Sequence, residues 1–480
     1  MADAKTRLDE ASLPFATVTQ LNAALRAREI SSVELTKFFG KRLEQLGPEY
    51  NALACSLVKA GSKQAKDVDD ELKRERFRGP LQGIPYAVKD LIAVAEYPTT
   101  WGAKPYRDQV FDEDATVIQR LSSQKAILIG KLSMIELAGG GDYSSAAASL
   151  QGPCLNPWNK SYWSGGSSSG SGAAVAAGLV PYALGSETSG SILGPACCCG
   201  VTGLRPTYGL VSRRGAMALS WTLDKLGVLA RSADDCGWVL RAIAGKDDAD
   251  PGSARKGFYY TPQYYQRFRE AKLGYAEIDF AEWPDEPLRP AFKNALSVLK
   301  SIGSTLTESQ LPDFPYGAVI GAIIGSEAAS SFEQLIRSGR VDQLADQSQI
   351  DGLKASMTYS AVDYLKAMRV RSQIQAAFRD LFAEIDLLVA PTFFSLPDRS
   401  DRPFDESEPK RPSQRGVGAG LIPASNLCGL PAISVPCGFV NGLPIGIQIV
   451  GAPFSENRII AFAREFQNRT DFHKQHPPVS

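Results

Sequence analysis

Hydroxyl groups crowd one stretch of this chain. Residues 164–191 read SGGSSSGSGAAVAAGLVPYALGSETSGS, with serines at 164, 167, 168, 169, 171, 186, 189 and 191. A hydroxyl is a weak nucleophile until a base removes its proton, and histidine commonly serves as that base. Only two histidines occur in the 480 residues, His473 and His476, both among the last eight positions. Serine chemistry here calls for another base, and a lysine is the candidate. A lysine can accept a proton only when neutral. From an ordinary pKa of about 10.4, half neutrality at pH 7 needs a drop of roughly 3 units, or ~4 kcal/mol, which burial can supply. Lys89 closes the apolar segment Ile84-Pro85-Tyr86-Ala87-Val88, which suits burial, while Asp90 would oppose the shift if its carboxylate lay close.

Each of these residues also has a plainer reading. A lysine at a strand end is usually a solvated charge, and Gly-Ser pairs are common in turns. Ser167, Ser168 and Ser169 are alike in type, and only the spacing to Ser191 distinguishes the first. Residues 166–170 match G-x-S-x-G, but the nucleophile elbow that pattern describes needs a strand before it and a histidine partner. Residues 170–172 followed by AAVAAG look like a shortened dinucleotide fingerprint without its third glycine or its acidic partner. No G-K-[ST] follows, which excludes a phosphate-binding P-loop. A flexible linker is disfavoured by the apolar, helix-like AAVAAGLVPYALG that continues the run.

The elements that must position these groups read as alternating strands and helices. Residues 17–46 pattern as two helices, the second opened by a capping box of Ser31 with Glu34. Residues 83–90 and 126–130 read as buried strands, 203–211 as a strand and turn, and 232–244 as a helix. Residues 250–380 are mainly helical, with segments at 289–301, 326–338 and 361–384; 386–390, closed by Pro391, is another buried strand. Residues 432–435 and 445–450 flank Asn441-Gly442, a strong hairpin signal. The polar, proline-rich 395–416 predicts a long mobile loop. This alternation predicts an α/β fold: one large α/β/α domain spanning residues 1–480, its central sheet mixed and mostly parallel and covered by helices. Within it, 1–75 supplies N-terminal helices, 76–245 the catalytic core, 246–394 a variable helical substrate-side region, and 417–480 a return to the core.

Bulk composition narrows the partners. Fifty-two basic residues balance fifty-two acidic ones, which argues against nucleic acid or an anionic membrane as the main partner. The start lacks the apolar core of a secretory signal and no run of 18 apolar residues occurs, so a cytoplasmic protein is expected. The eight cysteines show no CxxC pair; reduced, buried thiols are expected, with Cys197–Cys199 as small packing groups rather than metal ligands.

Six blocks carry a resemblance: GIPYAVKD (83–90), GKLSMIELAGGGDYS (130–144), WSGGSSSGSGAAVAAGLVPYALGSETSGS (163–191), GVTGLRPTYGLVSRRG (200–215), LDKLGVLARSADDC (223–236) and GLPAISVPCGFVNGLPIGIQIVG (429–451). In this order and spacing the chain resembles the amidase signature family over nearly its whole length. The resemblance implies an α/β/α sandwich and a Ser–Ser–Lys triad: Lys89 as base, Ser167 as a bridging serine held by a cis peptide bond, and Ser191 as nucleophile. The backbone amides of Thr188, Ser189, Gly190 and Ser191 would form an oxyanion hole. No metal and no organic cofactor is implied.

Two departures shape the expected substrate. The family usually shows Gly-Gly-Ser-Ile-Arg around the nucleophile and an aspartate before it; here Leu193 stands for the arginine and Glu187 for the aspartate. A pocket lined by Ala138, Gly139, Gly140, Gly141, Tyr143 and Leu193 would suit an uncharged, bulky amide. The family's glutamine-using amidotransferase subunits place an aspartate where this chain has Ala419, and near residues 352–360 only Lys354 offers a cation. The expectation is a hydrolase of C–N bonds in uncharged amides, anilides or carbamates, with side activity on esters, acting on a small molecule as a monomer or homodimer. The alternative is a glutamine-dependent amidotransferase subunit of a multi-chain complex. A non-catalytic relative is disfavoured because all three triad positions are filled.

Overall fold

A computed structural model describes residues 11–261, 270–404 and 416–478. Its strands, in chain order, are β1 (Leu53–Ser56), β2 (Pro85–Lys89), β3 (Ile127–Leu132), β4 (Leu155–Asn156), β5 (Asn159–Trp163), β6 (Tyr182–Glu187), β7 (Thr202–Arg205), β8 (Lys225–Ala230), β9 (Lys272–Tyr275), β10 (Thr305–Glu308), β11 (Leu387–Pro391), β12 (Ala432–Val440) and β13 (Leu443–Gly451). Eleven of them form one sheet, ordered β1-β3-β2-β6-β8-β7-β12-β13-β11-β9-β10, and β4 pairs with β5 apart from it. One large α/β domain with a mixed sheet and helices packed over it is therefore what the chain builds.

The expectation of a mostly parallel sheet is corrected. Parallel pairing joins β2 to β3, β2 to β6, β9 to β10 and β9 to β11; the other six ladders of the main sheet are antiparallel. The cause is local. Asn441 and Gly442 adopt φ of 52° and 78°, the left-handed pair that a two-residue hairpin requires, which forces β12 against β13. β8 likewise runs antiparallel to both β6 and β7.

Burial follows the patterns. All five residues of β2 and all six of β6 are buried, as central strands covered on both faces must be. Helix Ser32–Leu46 starts at the Ser31–Glu34 capping box and turns Leu35, Phe39 and Leu43 into the core. The apolar run after the serines is not one helix. Helix Ser169–Ala176 ends near Gly178, whose φ is +62°; Pro181 cannot continue a helix, and the chain re-enters the sheet as β6. The helix expected over 326–338 begins ten residues earlier, as Tyr316–Ser331, and breaks at Phe332 before Glu333–Arg337.

Of the expected loop 395–416, residues 405–415 lie outside the described residues. The part before them is tied down: Trp163 N donates to Asp398 O at 2.8 Å and Phe404 N to Ser144 O at 2.8 Å. No helix among the described residues is long and apolar enough to cross a membrane.

Candidate active site

Parallel pairing brings the chemistry together. Ala87 and Val88 of β2 lie opposite Ala183 and Leu184 of β6, so both strands end at the same sheet edge, where side chains of α/β folds converge. Lys89 is the last residue of β2, and its amine is fully buried there. Lys89 Nζ lies 2.7 Å from Ser167 Oγ, 3.0 Å from Ser168 Oγ and 3.0 Å from Ser186 Oγ. All three partners are neutral. Strand alternation sends the neighbouring Asp90 elsewhere, to Lys131 at 2.9 Å and to Thr100. With hydroxyls and no close carboxylate, burial pulls the Lys89 pKa down from 10.5 to about 7, against a weaker opposing pull from Asp224 and Glu187.

The two serine segments are stitched to each other. The Gly166–Ser167 peptide is cis, and Ser168 N donates to Ser191 O at 3.3 Å. Gly165 has φ +80°, and a Cβ there would press within about 3 Å of Pro195 and of Cys198 Sγ, so this approach of backbones admits only glycine. Ser191 is 8% exposed, at the mouth of a cavity. Among the described residues no acceptor meets the N–H groups of Ser189, Gly190 or Ser191.

A buried charge network fixes the 188–191 loop from below. Glu187 Oε2 accepts from Ile192 N at 2.9 Å and Leu193 N at 3.1 Å, while Oε1 accepts from Arg205 at 2.6 Å and Asn426 at 2.9 Å. Burial alone would raise the Glu187 pKa, but Arg205, Lys225 and these hydrogen bonds outweigh it and hold it at about 2. Lys225 donates to Asn426 Oδ1 at 2.6 Å. Burial and the nearby Arg205 cation push its pKa well below the ordinary value. Asp224 accepts from Thr188 Oγ1 at 2.6 Å and from the amides of Leu219 and Ser220, both at 2.9 Å.

Ser191 faces a cavity of about 380 Å³ whose walls include Ala138, Gly139, Tyr143, Trp163, Ile324 and Phe404. Thr188 and Ser189 also line it; Gly190, whose φ is +86°, shapes the loop without bordering the cavity. Three residues expected on its wall lie elsewhere. Gly140 packs beneath Leu219 and Phe332, and Gly141 is pressed against Leu353 and the carbonyl of Gln349. Leu193 is fully buried in an apolar cluster with Leu421 and Ala424, on a helix whose residues are all buried. Conversely, Ser168 and Ser186 at Lys89, and the rings of Trp163 and Phe404, join the site without being singled out by sequence. The ladder register that delivers Ser186 has no local sequence signal; Trp163, which adjoins the serine run, is the most accessible of these. Neither histidine takes part: His476 stacks on Phe15 at 3.9 Å, and the His473 carbonyl accepts from Arg231. All eight cysteines are free.

The family model for amidases matches residues 34–460. The chain belongs to the amidase signature family. It is accordingly an enzyme acting on carbon–nitrogen bonds. A glutamyl-tRNA(Gln) amidotransferase subunit of Carboxydothermus hydrogenoformans is 34% identical across 97% of this chain and 100% of the relative. The native peptide amidase of Stenotrophomonas maltophilia superposes with a TM-score of 0.82 at 30% identity, over 97% of this chain and 98% of that one. The corresponding glutamyl-tRNA(Gln) amidotransferase subunit of Thermotoga maritima gives a TM-score of 0.77 at 27% identity, over 95% of each chain.

Proposed function

We propose that this amidase signature enzyme hydrolyses uncharged amides through an acyl-enzyme on Ser191, with Lys89 as base and Ser167 as relay. The observation that carries the reading is the buried Lys89 amine, held by hydroxyls alone and brought to about pKa 7, at 2.7 Å from Ser167 Oγ. Ser191 Oγ adds to the amide carbonyl as its proton passes through Ser167 to Lys89. The oxyanion is held by backbone N–H groups of the 188–191 loop, each such donor being worth about 10²–10³ in rate. Collapse of the tetrahedral intermediate breaks the C–N bond, and the amine leaves with the proton returned from Lys89. Water then adds to the acyl ester with Lys89 again as base, releasing the carboxylic acid and restoring Ser191. Anilides, carbamates and esters fit the same cycle, an ester being the easier acyl donor.

Substrate class divides two readings. The Ser191 cavity is walled by Tyr143, Trp163, Ile324 and Phe404 and has Asp142 as its one charged lining residue among the described residues, which supports an uncharged, ring-bearing amide. The higher TM-score to the peptide amidase than to the Thermotoga protein points the same way. Glutaminase action within a multi-chain amidotransferase is favoured by a different observation, the 34% identity over the full length of the Carboxydothermus protein. Against it, no cation lines the Ser191 cavity among the described residues to meet an amino acid's carboxylate. Assay of the isolated chain decides: hydrolysis of nitroanilides without partner chains supports the amidase reading. Glutaminase activity appearing only beside partner subunits, with no nitroanilide turnover, would replace it.

A further inference from the structure

A second cavity lies on the other side of the catalytic loop. Its volume is about 570 Å³, and its lining includes Leu91, Tyr208, Met217, Trp221 and Leu226, with Ser186 at one edge. It shares Ala138, Thr188 and Leu219 with the 380 Å³ cavity that holds Ser191. These three residues are therefore the partition between the two spaces. Ala138 is a single methyl group, and Thr188 is tied to Asp224 at 2.6 Å. Leu219 is the long, apolar member of the partition, 3% exposed, its backbone N–H donating to Asp224 and its side chain lying over Gly140.

The charges of the second cavity are already matched. Arg213 is bonded to Asp250 at 2.8 Å and lies over the Tyr208 ring; Arg214 pairs with Glu113; and Asp224 is occupied by Thr188 and two amides. What remains for an occupant is apolar wall.

We infer that the second cavity is a subsite for a long, neutral, apolar arm of the amide, which reaches it past Leu219, and that Leu219 and Met217 set the length the enzyme accepts. This rests on the acyl-enzyme reading above. Met217 borders the second cavity, and a neighbouring one walled by Trp101 and Phe111, but not the one that holds Ser191.

The test uses two substrate series, p-nitroanilides with acetyl or phenylhexanoyl groups and acetamides with methyl or phenylhexyl amines. The kcat/KM ratio of long to short arm is measured in wild type, Met217→Trp and Leu219→Ala. The amount of folded enzyme is counted by fluorophosphonate labelling of Ser191. Filling the subsite with Met217→Trp should lower the ratio in one series about tenfold, and Leu219→Ala should raise the ratio in that same series, since contacts of this size discriminate by such factors. Ratios within about twofold of wild type in both variants and both series would overturn the inference. Absence of label on Ser191 in wild type would instead bring down the catalytic reading on which it depends.

Discussion

Lys89 is unusual because it is buried without an anion. Its three hydroxyl partners satisfy the amine but do not repay the loss of water around a charge, so the neutral form prevails above about pH 7. Base catalysis needs that neutral form, so kcat/KM should rise with pH and level off with an apparent pKa near 7. The same shift affects stability. Between about pH 7 and 10.5 the unfolded chain keeps a proton on this amine that the folded chain has lost. The unfolded state binds more protons in that window, so the cost of burying Lys89 is full at and below pH 7 and shrinks as pH rises. That cost is of order 4 kcal/mol, set against ~1 kcal/mol for each hydrogen bond lost on replacement. Lys89→Met should therefore be inactive yet more stable than wild type by ~1–2 kcal/mol at pH 7 in urea unfolding, with the gap vanishing or reversing by pH 9. A variant less stable at pH 7, or a gap that widens with pH, would contradict the burial account.

The elements matter because they deliver the reacting groups to one end of the sheet. β2 brings Lys89, β6 brings Ser186 and Glu187, and helix Leu193–Cys199 is anchored by the two amides that Glu187 accepts. Glu187 also offsets Arg205 and Lys225 in a fully buried setting. Glu187→Gln keeps the shape but leaves the buried Arg205 without its carboxylate partner, which costs about 3–5 kcal/mol when one partner of a buried pair is removed. Urea unfolding should show that loss together with slower labelling of Ser191; a loss under about 1 kcal/mol would mean the network is not what holds the loop. Much of this frame is legible in sequence. The strand at 83–90, the helices at 232–244, 289–301 and 361–384 and the Asn441-Gly442 hairpin all announce themselves by periodicity and turn chemistry. The balance of parallel and antiparallel ladders does not, because it depends on which strands pair. Short, half-exposed strands such as β10, Thr305–Glu308, carry too weak a pattern to read. At the site, Lys89 stands out by its apolar flank, whereas the contact of Ser186 comes from the β2–β6 register and that of Ser168 from the turn that opens helix Ser169–Ala176.

Across the whole molecule, the helical region after β10 lends Ile324 to the wall of the Ser191 cavity. Glu136, at the base of the segment that gives the cavity Ala138, Gly139 and Tyr143, accepts from the amides of Ala345 at 2.8 Å and Asp346 at 3.1 Å; Asp346 in turn accepts from Ser144 N and Oγ, both at 3.0 Å. The cavity wall is thus stapled to helix Gln347–Ser356, far in sequence from Lys89 and the serines. Asp346→Ala should loosen the wall without touching the proton relay, so KM should rise about tenfold while kcat stays within about threefold of wild type. Steady-state kinetics on one nitroanilide checks it, and a fall confined to kcat would place Asp346 in the chemistry instead.

In the proposed mechanism a neutral Lys89 energises Ser191. It is tested most directly by the rate at which a fluorophosphonate labels Ser191, followed by mass spectrometry across pH 5–9 in wild type and Lys89→Ala. The account predicts a wild-type rate that rises with an apparent pKa near 7, and a Lys89→Ala rate at least about 100-fold lower with that rise gone. Equal rates and equal pH profiles in the two proteins, or label on a residue other than Ser191, would contradict it.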